Sequence, residues 1–349
     1  MNEFSINGRK IGPEHEPYII AELSANHNGS LKTVYELIDQ AVEAGADAIK
    51  IQTYTPDTLT IKCDHEDFLI KGGLWDGKTL YDLYGEAYTP WEWHKDIFDY
   101  AKKVNITLFS TPFDETAVDF LEELNTPAYK VASFELIDLQ LIEYIAKKGK
   151  PMILSTGMAN FEEIQDAVKT AHNAGCKDIA ILRCVSGYPA SPEDYNLKTI
   201  TDMIKNFENP IGLSDHTLEN TTAIASVALG VSIIEKHFTL DRKGGGPDDS
   251  FSLEPSGLKD LCEKSKTVWK ALGKVNYDLK DSEKNNLVFR RSLYFVNDLK
   301  AGSIIDKDSI RSIRPGYGLA PKKLNDILGK KVKQDVHFGQ AVKEDLIDL

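Results

Sequence analysis

The 349-residue sequence predicts an α/β fold in which a (β/α)8 barrel of the TIM-barrel class precedes a small β-rich domain. Eight apolar, strand-like runs occur from residue 18 onward, and most are separated by segments with helical apolar spacing. Eight such units in about 270 residues match the length and rhythm of this barrel. Polar residues also gather directly after the runs, at the end where barrel enzymes build their active sites. A doubly wound open sheet is the competing architecture, but eight regular units without a GxGxxG motif favour the barrel.

The chain begins with a predicted β-hairpin within residues 1–12, because Asn7-Gly8 stands between alternating residues. A hairpin in front of the first buried strand can close one end of the barrel. The apolar runs that predict the barrel strands are 18–21, 47–51, 106–109, 127–132, 151–154, 178–183, 210–213 and 231–235. The segments with helical spacing are 31–44, 114–124, 138–147, 161–174, 197–206, 219–229 and 256–271.

Residues 55–93, called the 55–93 segment below, are longer than a normal connection in such a barrel and rich in Gly, Trp and Tyr. Loops of this length in a compact domain are usually functional lids or disordered. The aromatic residues favour order. The sequence therefore predicts either a packed lid or a subunit contact here.

The domain organisation follows from these patterns: a barrel domain at 1–273, a polar linker at 274–288 and a β-rich domain at 289–349. The last domain contains an internal repeat displaced by 37 residues, in which Asp298, Gly302, Ile305, Asp308 and Ile310 recur as Asp335, Gly339, Val342, Asp345 and Ile347. The repeat predicts a small pseudo-symmetric β module that docks on something larger.

The net charge of −13 argues against nucleic acid or an anionic membrane as a partner. Residues 290–349 carry a net charge of +4, which leaves −17 on residues 1–289. A basic tail could therefore meet an acidic surface of its own chain or of a second subunit. The four cysteines have no CxxC spacing, residues 1–20 lack a signal-peptide pattern, and no run of 18 apolar residues occurs. We expect a cytoplasmic protein with reduced thiols.

Two histidines carry a strong chemical signal. His216 and His237 each follow an apolar run, and residues 219–229 between them predict a helix. Neighbouring parallel strands lie about 4.8 Å apart, so two imidazoles at matching strand ends can bind one metal ion. The alternative is a pair of histidines that only pack or form hydrogen bonds.

A second signal is positive charge at the strand ends. Lys50 and Gln52 alternate with isoleucines, so both face the barrel interior, where a lysine is costly unless an anion pairs with it. The pattern predicts capture of a phosphate or carboxylate, helped by Lys130 and by the hydroxyls of Thr111, Ser133, Ser186 and Ser214. The absence of a P-loop favours a small anion over a nucleotide. The alternative is an internal ion pair of Lys50 with Glu22 or Glu135.

Three further residues are ambiguous from the sequence alone. Glu22 ends the first strand and is either a general base or metal-shell group, or a structural carboxylate that pairs with a lysine. Asp248 follows three glycines and either binds a sugar hydroxyl or amide, or belongs to a flexible loop. Arg314 precedes a proline and is by itself an ordinary surface residue.

The motifs together resemble the sialic acid synthase family over essentially the whole chain. They are ELSANHNGS at 22–30, IKIQT at 49–53, FSTPF at 109–113, YKVASFE at 129–135, LSTGM at 154–158, GLSDHT at 212–217, EKHFT at 235–239, GPD at 246–248 and RPG at 314–316. The C-terminal domain resembles type III antifreeze protein, the SAF fold. AELSANHNGS, KIQTYTPDTLT and DFLIKGGLWDGKTLYDLY resemble the branch of the family that makes pseudaminic acid.

The resemblance implies a transferase that condenses phosphoenolpyruvate with 2,4-diacetamido-2,4,6-trideoxy-β-L-altropyranose in its open-chain form, with water, releasing phosphate by C–O cleavage. It implies that His216 and His237 hold Mn²⁺, Mg²⁺ or Co²⁺, which polarises the sugar aldehyde, and that Glu22 is the acid/base. The implied phosphoenolpyruvate-binding residues are Lys50, Thr111, Lys130, Ser133, Ser186 and Ser214. The implied sugar-binding residues are Gln52, Glu135, Tyr188, Asp248 and Arg314.

The resemblance also implies a domain-swapped homodimer, in which the tail of one subunit caps the barrel of the other and Arg314 reaches an acetamido group. One departure concerns the substrate: neuraminate-type members often have GSGE and TNIYP where this chain has ASFE at 132–135 and VSGYP at 185–189. Phe134 adds apolar area and Ser186 is shorter than asparagine, which suits a 6-deoxy sugar.

Three alternatives stay open. One is a sister synthase that makes N-acetylneuraminate or N,N'-diacetyllegionaminate. Another is a Schiff-base aldolase that uses Lys130 or Lys50 with pyruvate. The third is a barrel that binds sugar without turning it over.

Overall fold

The computed structural model describes residues 3–348, and the chain begins there with the predicted hairpin. Strands β1 (Phe4–Ile6) and β2 (Arg9–Ile11) pair antiparallel, and both turn residues, Asn7 and Gly8, have positive φ values of 47° and 79°. Asn-Gly is suited to this turn because both positions need left-handed backbone. Phe4, Ile6 and Ile11 pack with inward-facing residues of the barrel strands. The hairpin is confirmed, and it closes the amino-terminal end of the barrel.

Eight parallel strands form a closed barrel in the order β10-β3-β4-β5-β6-β7-β8-β9. They are β3 (Tyr18–Glu22), β4 (Ala48–Thr53), β5 (Thr107–Pro112), β6 (Tyr129–Val131), β7 (Met152–Ser155), β8 (Ile179–Cys184), β9 (Ile211–Ser214) and β10 (Ile233–His237). The predicted (β/α)8 barrel is confirmed.

Seven of the eight strands continue one to three residues beyond the apolar runs that predicted them, the exception being β6. The added residues are mostly polar, and they keep the parallel pairing of the barrel. Glu22 pairs with Lys50 between β3 and β4, and Glu235 pairs with Ser214 between β10 and β9. The candidate site residues on these strands are therefore held by the barrel itself and not by loops.

Eight of the ten α-helices that the structure describes in the barrel unit bury apolar residues against the strands in one continuous core, the exceptions being the two short helices within the 55–93 segment. The ten α-helices are α1 (Leu31–Ala44), α2 (Pro56–Leu59), α3 (Leu80–Ala87), α4 (Trp91–Lys103), α5 (Glu115–Glu123), α6 (Leu139–Ala146), α7 (Phe161–Asn173), α8 (Lys198–Asn206), α9 (Thr221–Val227) and α10 (Pro255–Leu272). Several begin with a side-chain cap: Ser30 accepts from Thr33 N, and Asp114 accepts from Thr116 N and Ala117 N. Each cap contributes about 1 kcal/mol. Across residues 3–348, no helix is both long and apolar enough to cross a bilayer.

The 55–93 segment is ordered, as the aromatic residues predicted. It contains α2, a short 3-10 turn at Glu66–Phe68, α3 and the start of α4. Leu83 on α3 is buried, and the ring of Tyr84 makes an edge contact with Tyr54. The segment is thus a packed substructure of the barrel unit.

The chain divides into two compact units between Gly273 and Lys274. The second unit includes the predicted linker 274–288, which contains most of a 3-10 helix at Asp281–Phe289. It has four short strands and one short helix: β11 (Ser292–Phe295), β12 (Ile310–Ile313), β13 (Lys331–Val332), β14 (Ile347–Asp348) and α11 (Leu324–Ile327).

The 37-residue repeat corresponds to a pseudo-twofold arrangement within the second unit. Leu299 and Val336, which occupy equivalent repeat positions, exchange a pair of backbone hydrogen bonds at 3.0 and 2.9 Å. The repeat aspartates do the same work in each half: Asp335 accepts from Ala301 N, and Asp298 accepts from Phe338 N. The predicted pseudo-symmetric β module is confirmed.

Candidate active site

A cavity of about 450 Å³ lies at the carboxyl ends of the barrel strands. This volume is typical of a small-molecule site. Of the fourteen predicted site residues, eleven line it: Lys50, Gln52, Lys130, Ser133, Glu135, Ser186, Tyr188, Ser214, His216, His237 and Asp248. Glu22 and Thr111 are fully buried beside Lys50, and Arg314 lies in the second unit.

Two lysines and two carboxylates form a buried cluster at the floor of the cavity. Lys50 Nζ lies 2.7 Å from Glu22 Oε2 and 3.3 Å from Glu235 Oε1. Lys130 Nζ lies 3.9 Å from the same oxygen of Glu235. The sequence had suggested Glu22 or Glu135 as an internal partner of Lys50; Glu22 is correct and Glu135 is wrong, because Glu235 on β10 takes that position.

The surroundings of Glu22 and Glu235 shift the pKa values of these two carboxyl groups in opposite directions. Burial raises the pKa of Glu22 above its ordinary value, opposed by Lys50 and reinforced by Glu235. Burial acts in the same direction on Glu235, but Lys130 and Lys50 together hold its pKa below the ordinary value. Glu235 is therefore the ionised member, and Glu22 is the one that takes up a proton more readily. Such a separation of pKa values is what acid–base chemistry in one site requires.

The two lysines also differ. Burial lowers the pKa of Lys50, but Glu22 and Glu235 more than offset this effect and raise it. Burial lowers the pKa of Lys130 to about 8, because Glu235, 3.9 Å away, offsets burial only in part and Lys50 adds to its effect. Its ammonium donates to Ser155 Oγ at 2.6 Å and to the Val131 carbonyl oxygen at 3.0 Å. The cluster thus retains two positive charges near neutral pH.

Hydroxyl groups surround the lysines. Ser214 Oγ donates to Glu235 Oε1 at 3.2 Å, and Ser133 Oγ accepts from Gly157 N at 3.0 Å. Ser186 Oγ is buried and finds no hydrogen-bond partner within residues 3–348. Gly157 must be a glycine, because a Cβ atom there would lie 2.1 Å from Ser186 Oγ. An unpaired hydroxyl therefore lines the cavity at Ser186 in the described part of the chain.

The two histidines meet across neighbouring strands, as predicted. Their ring centroids lie 5.3 Å apart. His216 Nδ1–H donates to the Val185 carbonyl oxygen at 2.7 Å. Burial lowers the pKa of His216, but the neighbouring Cys184 more than offsets this and raises it, so Nε2 offers a lone pair to another ligand once the ring has lost its proton. His237 Nδ1 is buried without a hydrogen-bond partner in the described part of the chain, and Asp248 Oδ2 lies 3.8 Å away.

This donor set fits a divalent cation held by two protein ligands with open positions for substrate and water. Burial, together with the neighbouring His216 and Lys50, lowers the pKa of His237 well below its ordinary value, so the ring of His237 is neutral, as a metal ligand must be. Within residues 3–348, no group of three or more His, Cys, Asp or Glu side chains is arranged to hold a metal. The remaining ligands would therefore have to come from outside the chain.

The predicted sugar-binding residues flank the histidines. Gln52 Nε2 donates to Ser24 Oγ at 3.1 Å and to Glu22 Oε1 at 3.3 Å. Tyr188 packs on His216 with ring centroids 4.4 Å apart. Glu135 Oε2 is buried with no hydrogen-bond partner among the residues described, and burial raises the pKa of this carboxyl to about 7.

The loop that carries Asp248 is anchored. Asp248 accepts a hydrogen bond from Ser24 Oγ, and Asp249 accepts from Asn28 Nδ2 at 3.0 Å and from Gly246 N at 2.8 Å. Three contacts thus anchor this loop, two to the motif at 22–30 and one within the loop itself.

The 55–93 segment forms a wall of the cavity. Its lining residues are Leu59, Ile70, Trp75, Leu80, Leu83, Tyr84 and Ala87. Trp75 Nε1 donates to the Pro247 carbonyl oxygen at 3.2 Å, and its ring lies 5.9 Å from that of Tyr188. Of the two predictions for this segment, the packed lid describes what it does in the barrel unit.

Three residues of the site, Glu235, Ser24 and Cys184, have no role predicted from the sequence. Glu235 stood next to the selected His237 motif, and its i,i+2 spacing from His237 was the signal that could have placed it on the inner face. Ser24 and Cys184 also line the cavity. Burial alone would raise the pKa of the Cys184 thiol, but His216 and Lys130 lower it to about 7.

Arg314 follows β12 and is exposed. Its predicted contact with a sugar stays a prediction, because the residue belongs to the second unit. His27 in the ANHNGS motif is buried against Trp93, and its Nδ1 accepts from Gly29 N at 3.0 Å.

Comparison with known proteins places this site in a family. The NeuB family model matches residues 37–277, and the SAF domain model matches residues 290–348. The chain is 45% identical over 327 residues to a pseudaminic acid synthase of Campylobacter jejuni strain 81-176, which covers 94% of this chain and 95% of that protein. It is 41% identical to the pseudaminic acid synthase of Helicobacter pylori strain 26695, covering 95% of this chain and 98% of that protein.

A solved structure agrees with these relatives. The N-acetylneuraminic acid (sialic acid) synthetase of Leptospira borgpetersenii, crystallised in complex with citrate, superposes with a TM-score of 0.73 at 31% identity. The match covers 82% of this chain and 95% of that chain. The resemblance seen in the motifs is confirmed, and the chain belongs to the NeuB family of sialic acid synthases, with an SAF domain at its C-terminal end.

Proposed function

We propose that this enzyme condenses phosphoenolpyruvate with 2,4-diacetamido-2,4,6-trideoxy-β-L-altropyranose and water to give pseudaminic acid and phosphate. The observation that carries the proposal is the pairing, in one cavity, of two buried lysines with two histidines whose rings lie 5.3 Å apart. One part of the cavity suits an anion, and the other suits a carbonyl that must be made electrophilic. The 45% identity to a pseudaminic acid synthase over 94% of the chain supports this substrate pair.

Lys50 and Lys130 would bind the phosphate and carboxylate of phosphoenolpyruvate. Two buried ammonium groups are costly unless anions pair with them, and Glu22 and Glu235 supply only part of that charge when Glu22 is protonated. Ser186 Oγ, which lacks a partner among residues 3–348, can donate to a phosphate oxygen. Ser133 and Ser214 add hydroxyls on the same cavity wall, and Thr111 supports Lys50 from below at 3.4 Å.

His216 and His237 would hold a divalent cation, Mn²⁺, Mg²⁺ or Co²⁺. When bound, this cation would supply Lewis-acid polarisation of the sugar aldehyde. Two features of the chain suit these histidines to metal binding. The Val185 carbonyl oxygen fixes the orientation of the His216 ring, and burial keeps the His237 ring neutral. Second contacts of this kind orient metal-binding histidines.

In the proposed reaction the methylene carbon of phosphoenolpyruvate forms a bond to the aldehyde carbon, and water adds at the adjacent enol-phosphate carbon. The C–O bond to phosphate then breaks. The aldehyde oxygen gains a proton, and the added water loses one proton on addition and its second to the departing phosphate as the ketone forms. Glu22, with its raised pKa, is suited to exchange these protons. Because it lies beneath the cavity floor, the exchange would pass through Lys50 Nζ or one water molecule.

Gln52, Glu135, Tyr188 and Asp248 would orient the sugar. The carboxyl of Glu135 has a pKa raised to about 7 and an unpaired buried oxygen, so it can donate to or accept from a hydroxyl or an amide. Tyr188 lies over His216 and limits the space beside the aldehyde.

We also propose that Arg314 completes the site in a domain-swapped homodimer. The second unit is basic and the barrel unit acidic, which favours association of a tail with a barrel. Loops that follow β6 and β7 expose Phe134, Ile137 and Met158 by 55%, 65% and 66% at the carboxyl end of the barrel. Exposed apolar side chains on these loops are suited to a protein contact.

A sister synthase that acts on a neuraminate or legionaminate precursor is the near alternative. A Schiff-base aldolase is a second candidate, favoured by one observation: the pKa of Lys130 is lowered to about 8, which activates an amine as a nucleophile. A barrel that only binds sugar has no evident use for two lysines and two histidines in one cavity.

The deciding experiment measures phosphate release from phosphoenolpyruvate, with and without EDTA, for three sugars. They are the 2,4-diacetamido-trideoxy-altrose sugar, N-acetylmannosamine as the precursor of N-acetylneuraminate, and the precursor of N,N'-diacetyllegionaminate. We expect release with the 2,4-diacetamido-trideoxy-altrose sugar, abolished by EDTA and restored by Mn²⁺. Turnover with N-acetylmannosamine alone would overturn the substrate assignment. Trapping of a pyruvate adduct by borohydride, with activity insensitive to EDTA, would favour the aldolase.

A further inference from the structure

The cavity has two chemically different sides. The strand ends present ammonium, carboxylate, hydroxyl and imidazole groups, whereas the 55–93 segment presents almost only hydrocarbon. Leu59, Ile70, Leu80 and Leu83 have no polar side-chain atom. We call these four residues the apolar wall.

The 55–93 segment also adds two polar side-chain groups to this side of the cavity, Trp75 Nε1–H and the Tyr84 hydroxyl, and they differ in whether they already have a hydrogen-bond partner. Trp75 Nε1–H already donates to the Pro247 carbonyl oxygen at 3.2 Å. The hydroxyl of Tyr84 is therefore the remaining hydrogen-bonding group that the lid residues lining the cavity offer to a ligand in the described structure. A substrate hydroxyl placed against the apolar wall would lose its hydration without gaining an equivalent bond.

We infer that the apolar wall determines substrate specificity by selecting a sugar with a methyl group at C6 over one with a hydroxymethyl group. This inference rests on the proposed function. The aldehyde end of the sugar must lie at His216 and His237, beside phosphoenolpyruvate on the lysines at the floor. The far end of the sugar chain then extends away from the strand ends, toward the lid that covers them.

The apolar wall discriminates between the two sugars because its four side chains lack a hydrogen-bonding group. A methyl group buried against Ile70 and its neighbours loses only contact with water, which favours binding. A hydroxymethyl group in the same place leaves a buried hydroxyl unpaired. Apolar pockets reject an added hydroxyl by roughly ten- to a hundredfold in kcat/KM. We therefore expect the wild-type enzyme to prefer the 6-deoxy sugar over its 6-hydroxy counterpart of the same configuration by at least about tenfold.

The test compares kcat/KM for these two sugars, at saturating phosphoenolpyruvate, in the wild type and in two wall variants. Ile70→Thr and Leu59→Gln each give the wall a hydrogen-bonding group, and either should narrow the preference by about three- to tenfold. The KM for phosphoenolpyruvate should stay unchanged, because the lysine floor is untouched. Ile61→Thr is the matched control, since Ile61 lies in the same segment but is 60% exposed and outside the cavity lining.

The outcomes separate the two levels of inference. Turnover with an unchanged preference in both wall variants, or equal use of both sugars by the wild type, overturns the role of the wall and leaves the proposed function standing. The role of the wall is also overturned if Ile61→Thr reduces the preference for the 6-deoxy sugar as much as Ile70→Thr does. No turnover of phosphoenolpyruvate with any sugar contradicts the proposed function, and the wall loses its role with it.

Discussion

Lys50 and Glu235 share a buried contact, with Lys50 Nζ 3.3 Å from Glu235 Oε1, and the same oxygen lies 3.9 Å from Lys130 Nζ. One carboxylate therefore stands between two ammonium groups at the floor of the cavity. Replacing it by a neutral group would leave the two lysines facing each other, so the arrangement keeps both charged in the absence of substrate. An arriving phosphate meets positive charge that is already oriented, which is the condition for electrostatic stabilisation in a buried site.

The charge of Lys130 predicts an alkaline limit for phosphoenolpyruvate capture. Burial lowers its pKa to about 8, so the ammonium that attracts the anion is present below this pH and is lost above it. We expect kcat/KM for phosphoenolpyruvate to fall by about tenfold between pH 7 and pH 9. Lys130→Arg stays charged across this range and should remove that fall, whatever its absolute activity. The same alkaline limb in both proteins would contradict the role of Lys130.

Glu22 predicts a loss of chemistry without a loss of binding. Glu22→Gln keeps an oxygen that can accept from Ser24 N and Gln52 Nε2, but it cannot carry a proton to a reacting oxygen. We expect kcat to fall by about 10²- to 10⁴-fold in a protein that still folds, with a melting temperature below that of the wild type because the contact of Glu22 Oε2 with Lys50 Nζ is lost. Glu36→Gln, on the exposed face of α1, is the control. A kcat within tenfold of wild type for Glu22→Gln would exclude an acid–base role.

Much of this site could be predicted from the sequence because a parallel barrel converts position along each strand into position in space. Glu22 and His237 follow apolar runs, Lys50 lies near the end of another, and the closed barrel brings those run ends together. The fold class and the histidine pair depend only on this regularity. The ends of the strands could not be predicted in this way, because polar residues such as Gln52 lie beyond the apolar run and still pair with the neighbouring strand.

The features that the sequence did not predict depend on which side chains meet across long distances in the chain. The choice of Glu235 over Glu135 as a partner of Lys50 follows from the closing of β10 against β3, which no local pattern encodes. The contact of Trp75 with Pro247 joins residues 172 positions apart and gives the 55–93 segment its role as a wall. Periodicity indicates which face of an element is buried, but it does not indicate which neighbour fills the space.

The unpaired ring nitrogen of His237 predicts that a variant without this histidine loses metal binding but still folds. His237 Nδ1 has no hydrogen-bond partner within residues 3–348, so His237→Ala removes a metal ligand without breaking a bond of the chain. We expect loss of Mn²⁺ binding, measured by electron paramagnetic resonance, and at least a hundredfold loss of phosphate release. His15→Ala, in the segment before β3, is the control and should retain both. Full Mn²⁺ binding by His237→Ala would refute the assignment of this histidine as a ligand.

The proposed exchange of tails between subunits predicts complementation between two inactive full-length variants. Arg314→Ala keeps a complete barrel but lacks the arginine, whereas His237→Ala keeps the arginine but lacks a metal ligand. If the tail of one subunit caps the barrel of the other, a mixed dimer has one complete site and one with both defects. Random exchange after unfolding and refolding an equimolar mixture makes half of the dimers mixed, so activity should return to about a quarter of the wild-type value. If each tail serves its own barrel, no mixed dimer has a complete site, and the mixture should be as inactive as its components. Phosphate release from refolded mixtures, with each variant refolded alone as the control, distinguishes these arrangements.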